Sequence, residues 1–137
     1  MVDKLEKDKQ YFWYSSLDGT FYGLKLNSIN KHNDYICLIQ DRVHEGWLTK
    51  NFIPQKNTIK VFKQSSFPSK NFCTDLDIII VENLISLFLI DPYEYGSNKS
   101  NLVELLDILN YRPDLYIKHI DKLLNNKVFK HLIDKGY

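Results

Sequence analysis

Two carboxylates and two tyrosines fall within five positions at Asp91-Pro92-Tyr93-Glu94-Tyr95, and Gly96-Ser97-Asn98 extends the stretch as a loop. Tyrosine offers a large contact area at small entropic cost, and carboxylates steer a basic partner and pair with its lysines or arginines. An inhibitor of a basic nuclease needs this combination, with acid in place of phosphate and tyrosine in place of base. The loop sits inside Asn71 to Asn110, where Asp75, Asp77, Glu82, Asp91, Glu94, Glu104 and Asp107 are set against the single cation Lys99. The whole chain carries a formal charge of +1, so the remaining segments are basic. Such asymmetry bears on partners rather than on fold. The candidate partner-binding set is therefore Asp91, Tyr93, Glu94 and Tyr95, with Glu82 and Glu104 nearby. The plain alternative is a connection whose acids favour the N-terminus of the following helix.

A second chemistry lies upstream. From Lys25 to Lys70 the cations Lys25, Lys31, Arg42, Lys50, Lys56, Lys60, Lys63 and Lys70 oppose only Asp34, Asp41 and Glu45. Tyr35, Trp47, Phe52, Phe62 and Phe67 are interleaved with them. Small β-domains hold single-stranded nucleic acid by stacking bases on aromatics across a basic sheet. Trp47, Lys50, Lys56, Lys60, Phe62 and Lys63 would form that face. Against this stands the scarcity of arginine, which leads in phosphate and base recognition and occurs here only as Arg42 and Arg112. A lysine-solubilised sheet with charge-protected edges accounts for the same residues.

Catalytic patterns are faint. His44-Glu45 in a loop would suit a general base, His119 lies on an apolar helix face, and His32 and His131 sit beside lysines. A two-histidine ribonuclease assembled from His32 or His44 with His119 has no support from spacing. There is no His-Glu-x-x-His, no calcium-loop carboxylate spacing, no glycine-rich phosphate loop and no Gly-x-Ser-x-Gly elbow. Cys37 and Cys73 are far apart and read as small buried hydrophobes. The expectation is a protein with no metal and no cofactor, in which an enzyme ranks third, behind protein and nucleic-acid binding, and would need histidines scattered in sequence to converge.

These residues need a scaffold. The 137 residues are 44% hydrophobic and 26% charged, enough for one domain with a real core. Tyr11–Tyr14 and Phe21–Leu26 flank Asp18-Gly19 and predict a hairpin. Tyr35–Ile39, then Trp47 to Ile53 ending at Pro54, and the alternating Thr58–Phe62 continue a meander, with Asp41–Gly46 as a connection. Leu76–Ile90 divides into two apolar runs around Glu82-Asn83 and favours two buried strands over one helix. Beyond it the pattern is helical. Ser100 or Asn101 caps Leu102, Leu105, Leu106 and Leu109, with Glu104 at the capping-box position behind Asn101. Pro113 opens a second helix. Asn125-Asn126 breaks it, and a short last helix closes at Gly136.

The expectation is a single α+β domain, 1–90 mainly β and 100–135 helical. Its antiparallel meander of about five to seven strands precedes two to three C-terminal helices packed on the sheet. Met1–Gln10 is charged, without the apolar run of a signal peptide. Glu82, Asn83 and Asp91 break the longest apolar stretches short of the roughly 20 residues of a spanning helix. A soluble cytoplasmic protein with no membrane association is expected. In size, class and lack of catalytic motifs the chain is similar to the small intracellular immunity or antitoxin-type inhibitors of bacteria. That resemblance implies a protein partner, plausible as a nuclease toxin whose active site is occluded.

Overall fold

A computed structural model of the chain describes residues 1–44, 51–90 and 99–134. It is α+β, a five-stranded antiparallel sheet followed by helices. Two compact units divide the chain, Met1–Ile79 and Ile80–Tyr137.

The first unit is the sheet: β1 (Gln10–Ser15), β2 (Thr20–Ile29), β3 (Tyr35–His44), β4 (Asn51–Phe62) and the two-residue β5 (Phe72–Cys73), in spatial order β4-β3-β2-β1-β5. Local chemistry sets its turns. Gly19 stands at φ +66°, where a side chain would be strained, and the Asp18 carboxylate accepts the Thr20 N–H at 3.1 Å and the Tyr22 hydroxyl at 2.7 Å. The tyrosine hydrogen bond is the main reason the Asp18 carboxyl titrates below its usual value. Between β2 and β3, Asn30 Oδ1 accepts the N–H groups of His32 and Asp34, both at 2.9 Å. The hairpin at Asp18-Gly19 and the polar turn before Tyr35 are as the sequence implies.

Two boundaries differ. Asp41–His44 continues β3 rather than forming a connection, and β4 runs through Pro54 as one strand of 12 residues instead of two shorter ones. The reason is an irregularity in the ladder: Ile39 pairs Thr58 and Asp41 pairs Pro54, so Gln40 alone opposes residues 55–57. A proline that would end a regular strand is accommodated beside such a bulge.

The sheet coils strongly. Trp13 of β1 meets Phe62 of β4 with ring centroids 4.9 Å apart, although the two strands are three places apart in the sheet. Flat strands would leave about 14 Å between them. Trp13 also stacks on Tyr22 and on Phe72, and Phe62 meets Phe72 edge to face. The closure packs, through the buried Phe72, on Leu5, Tyr11, Leu24, Leu26, Tyr35, Cys37 and Ile39, all buried. The Tyr11 hydroxyl accepts the Glu6 N–H at 2.8 Å and so satisfies a donor inside the fold.

The helices are α1 (Leu76–Ile90), α2 (Lys99–Tyr111), α3 (Pro113–Leu124) and α4 (Lys127–Asp134). Leu76–Ile90 is thus one helix, not two strands. Asp75 caps it, accepting the Asp77 N–H at 3.0 Å, and Glu82-Asn83 falls in mid-helix instead of at a turn. Most of its surface is apolar and packed, with Ile79, Ile80, Val81, Leu84 and Ile85 buried, while Glu82, Asn83 and Ser86 keep a narrow polar side. Burial here overrides the strand preference of its β-branched residues. Within the second unit, Leu105, Ile108 and Leu109 of α2, Leu115 and Leu123 of α3, and Phe129 of α4 are buried at helical spacing.

Pro113 opens α3 as expected, and Asn126 Oδ1 accepts the Phe129 N–H at 3.0 Å, capping α4. The cap proposed for α2 is displaced. The helix already includes Lys99 and Ser100, so Asn101 lies in its first turn and Glu104 is not at a capping-box position. Gly136 lies outside the described residues.

Leu24 is fully buried, whereas Ile59 is 60% exposed. Leu24→Ala is therefore expected to cost about 2–5 kcal/mol, and Ile59→Ala less than about 0.5 kcal/mol, as read from urea unfolding midpoints.

Candidate functional site

The register of β4 decides which side chains the first unit presents. Thr58, Lys60 and Phe62 pair with Ile39, Cys37 and Tyr35, which are buried, so these three lie on the core side of the sheet. Ile59 and Val61 pair with Leu38 and Ile36 on the outer side. Alternation that separates apolar from polar residues usually turns the apolar set inward. At β4 the order is reversed, because Lys60 lies over the Trp13 ring, 5.7 Å from its centroid, and Phe62 completes the aromatic closure. The ammonium itself lies over the ring face, while the residue as a whole stays exposed.

An apolar patch results on the outer side. Leu38, Ile59 and Val61 are 38%, 60% and 51% exposed, and Ile36 is half-buried between them and β2. Lys25 of β2 is the cross-strand neighbour of Leu38. Beside the patch, β4 forms an end of the strand order. Sequence reasoning missed these residues as a site. The alternation was visible, but its direction was not.

The residues proposed for nucleic-acid contact divide. Lys56, Lys60 and Lys63 are exposed, whereas Phe62 is half-buried with its ring engaged by Trp13 and Phe72. Trp47 and Lys50 lie outside the described residues. The partner-binding set divides too. Asp91, Tyr93, Glu94 and Tyr95 lie outside the described residues. Glu82 of α1 pairs with Lys118 of α3 at 3.7 Å, both side chains well exposed, a geometry that contributes little to stability. Glu104 is half-buried in α2.

Groups that could react are held quiet. Burial pushes the Cys37 thiol up to about 12, so it carries no thiolate at neutral pH. Cys73 is half-buried rather than buried. The Nε2 atom of His119 is buried without a hydrogen-bond partner. Burial, and then the neighbouring Lys118, hold this imidazole below its ordinary value, with Glu82 acting weakly the other way. The residue as a whole is half-buried on α3. An open groove between α2 and α3 is lined by Leu106, Asp107, Leu109, Asn110, Pro113, Tyr116 and Ile120 and carries no nucleophile–base pair. Among the described residues no group of three His, Cys, Asp or Glu side chains gathers as a metal site. None of the helices among these residues is long and apolar enough to cross a membrane.

No family model, curated protein or solved structure matches the chain.

The His119 environment has a pH consequence. The unfolded chain takes up the proton near pH 6.5, the folded one only at lower pH. The unfolded state therefore binds more protons in that interval, so the stability His119 supplies is complete above about pH 6.5 and lost as pH falls through the folded value. Urea midpoints are expected to fall from pH 7.5 towards pH 5, and His119→Leu to flatten that part of the curve.

Proposed function

We propose that this chain is a protein-binding module. Its finer identity, on this reading, is a non-enzymatic cytoplasmic inhibitor of the immunity or antitoxin type that occludes the active site of a basic nuclease toxin. The observation that carries protein binding is the outer face of β3 and β4, where the cross-strand pairs Leu38–Ile59 and Ile36–Val61 form an apolar patch beside a sheet edge. Scattered exposed apolar residues are ordinary, but two adjacent cross-strand pairs on one face mark an interaction surface. The toxin-directed part rests on charge: the acidic window with Asp91, Tyr93, Glu94 and Tyr95 would steer a basic partner and stand in for its phosphate ligand.

A second reading keeps one observation in its favour. Lys56, Lys60 and Lys63 are exposed along a single strand and its end, which would suit the backbone of a single-stranded nucleic acid. The Phe62 ring is engaged by Trp13 and Phe72, and among the described residues of β4 Phe52 alone is an exposed aromatic, so protein binding is preferred. Fluorescence anisotropy with a labelled oligonucleotide separates the two: the nucleic-acid reading requires affinity that falls steeply with salt, and no binding even at low salt removes it.

The protein-binding reading is tested by co-purification from the native source with two sets of variants. Leu38→Ser with Ile59→Ser is expected to strip the partner from the chain. Asp91→Lys with Glu94→Lys is expected to slow association and weaken its salt dependence. A partner retained by the first pair overturns the patch, and unchanged association kinetics in the second overturns the role of Asp91 and Glu94.

A further inference from the structure

We propose that the edge of β4 over Thr58–Phe62 accepts an extended segment of a protein partner as an added strand, and that this segment alternates acidic and apolar side chains. The proposal rests on the protein-binding reading and specifies its mode and the partner's chemistry.

Three observations converge on this stretch. First, β4 ends the strand order, and Thr58–Phe62 pairs residue for residue with Ile39–Tyr35 without interruption. A regular segment of this kind, roughly 17 Å long, is a template for one more strand of ordinary length. Second, Ile59 and Val61 project on the outer side at 60% and 51% exposure. Apolar side chains of an added strand would lie about 5 Å away on that same side and close over them. Third, the charge is one-sided. From Asn51 to Lys63 the chain has Lys56, Lys60 and Lys63 and no carboxylate. Lys60 stands on the opposite side of the sheet from Ile59 and Val61, where the alternate residues of an added strand would fall.

Charge chooses among occupants. A second copy joined edge to edge would line up the lysines of both chains along one seam, and like charges across strands are destabilising. Lysine on an edge strand is a common guard against such self-pairing. A single-stranded nucleic acid would satisfy the lysines but offers no peptide groups to the strand and no apolar side chains to Ile59 and Val61. An acidic, alternating strand uses the edge, the patch and Lys60 together, as in recognition by strand addition.

The test uses three labelled heptapeptides: glutamate alternating with valine, the same residues in blocks, and lysine alternating with valine. Anisotropy measures affinity, and amide chemical shifts of the full chain locate the contact. The alternating acidic peptide is expected to bind about tenfold more tightly than the blocked one and to shift the amides of Thr58–Phe62. Ile59→Lys with Val61→Lys, both at exposed positions, is expected to weaken it about tenfold with the spectrum otherwise retained. Lys60→Glu is expected to transfer the preference to the lysine peptide. Equal affinity for the alternating and blocked peptides, absence of binding, or shifts confined to other residues overturns the proposal. So does concentration-dependent self-association that Ile59→Lys and Val61→Lys abolish, or tighter binding of an oligonucleotide at the same amides. If the peptides fail while Leu38→Ser with Ile59→Ser still strips the native partner, strand addition falls and protein binding stands.

Discussion

The first unit depends on one indole. Trp13 bridges strands that sheet order keeps apart, touching Tyr22, Phe62 and Phe72 at once. A five-stranded sheet of this size has only one side to bury, and a flat one would leave its aromatic residues half in water. Coiling around Trp13 lets β4 and β5 cover the same core from two directions. Aromatic pairs at these distances add a directional preference to the area they bury, so the coil is held by geometry as well as by hydrophobicity.

That constraint propagates to the surface. Once Phe62 is drawn inward, alternation carries Lys60 and Thr58 to the same side and leaves Ile59 and Val61 outside. The lysine is retained at little cost because the residue stays exposed and its ammonium lies over the Trp13 ring. The outward isoleucine and valine have no such compensation within the described residues, and this is why they read as a binding surface. Of the aromatics proposed as stacking platforms, Phe62 is taken up in closing the core. The same interaction thus weakens one functional reading and supports another.

Features governed by near neighbours were legible in the chain. Asp18-Gly19 makes its turn because Gly19 alone can take a positive φ there cheaply and Asp18 caps the next strand. Pro113 starts a helix because its missing N–H would be unsatisfied in any case. Asn125-Asn126 breaks the helix and Asn126 caps the next one. Where the signal was long-range, reading failed. Ile78-Ile79-Ile80-Val81 favours a strand on propensity, yet Asp75 caps a helix and burial keeps it. Pro54 ends a strand by local rule, yet the bulge opposite Gln40 lets β4 continue.

The sequence by itself determined the order of strands before helices, the hairpin, the α2–α3 and α3–α4 breaks and the charge asymmetry between segments, because each depends on residues a few positions apart. Only the tertiary structure decided that Leu76–Ile90 is helical, that the sheet coils, and which side of β4 faces water. Those outcomes turn on contacts between distant segments, above all Trp13 with Phe62, and a two-residue alternation is symmetric until such a contact gives it an inside.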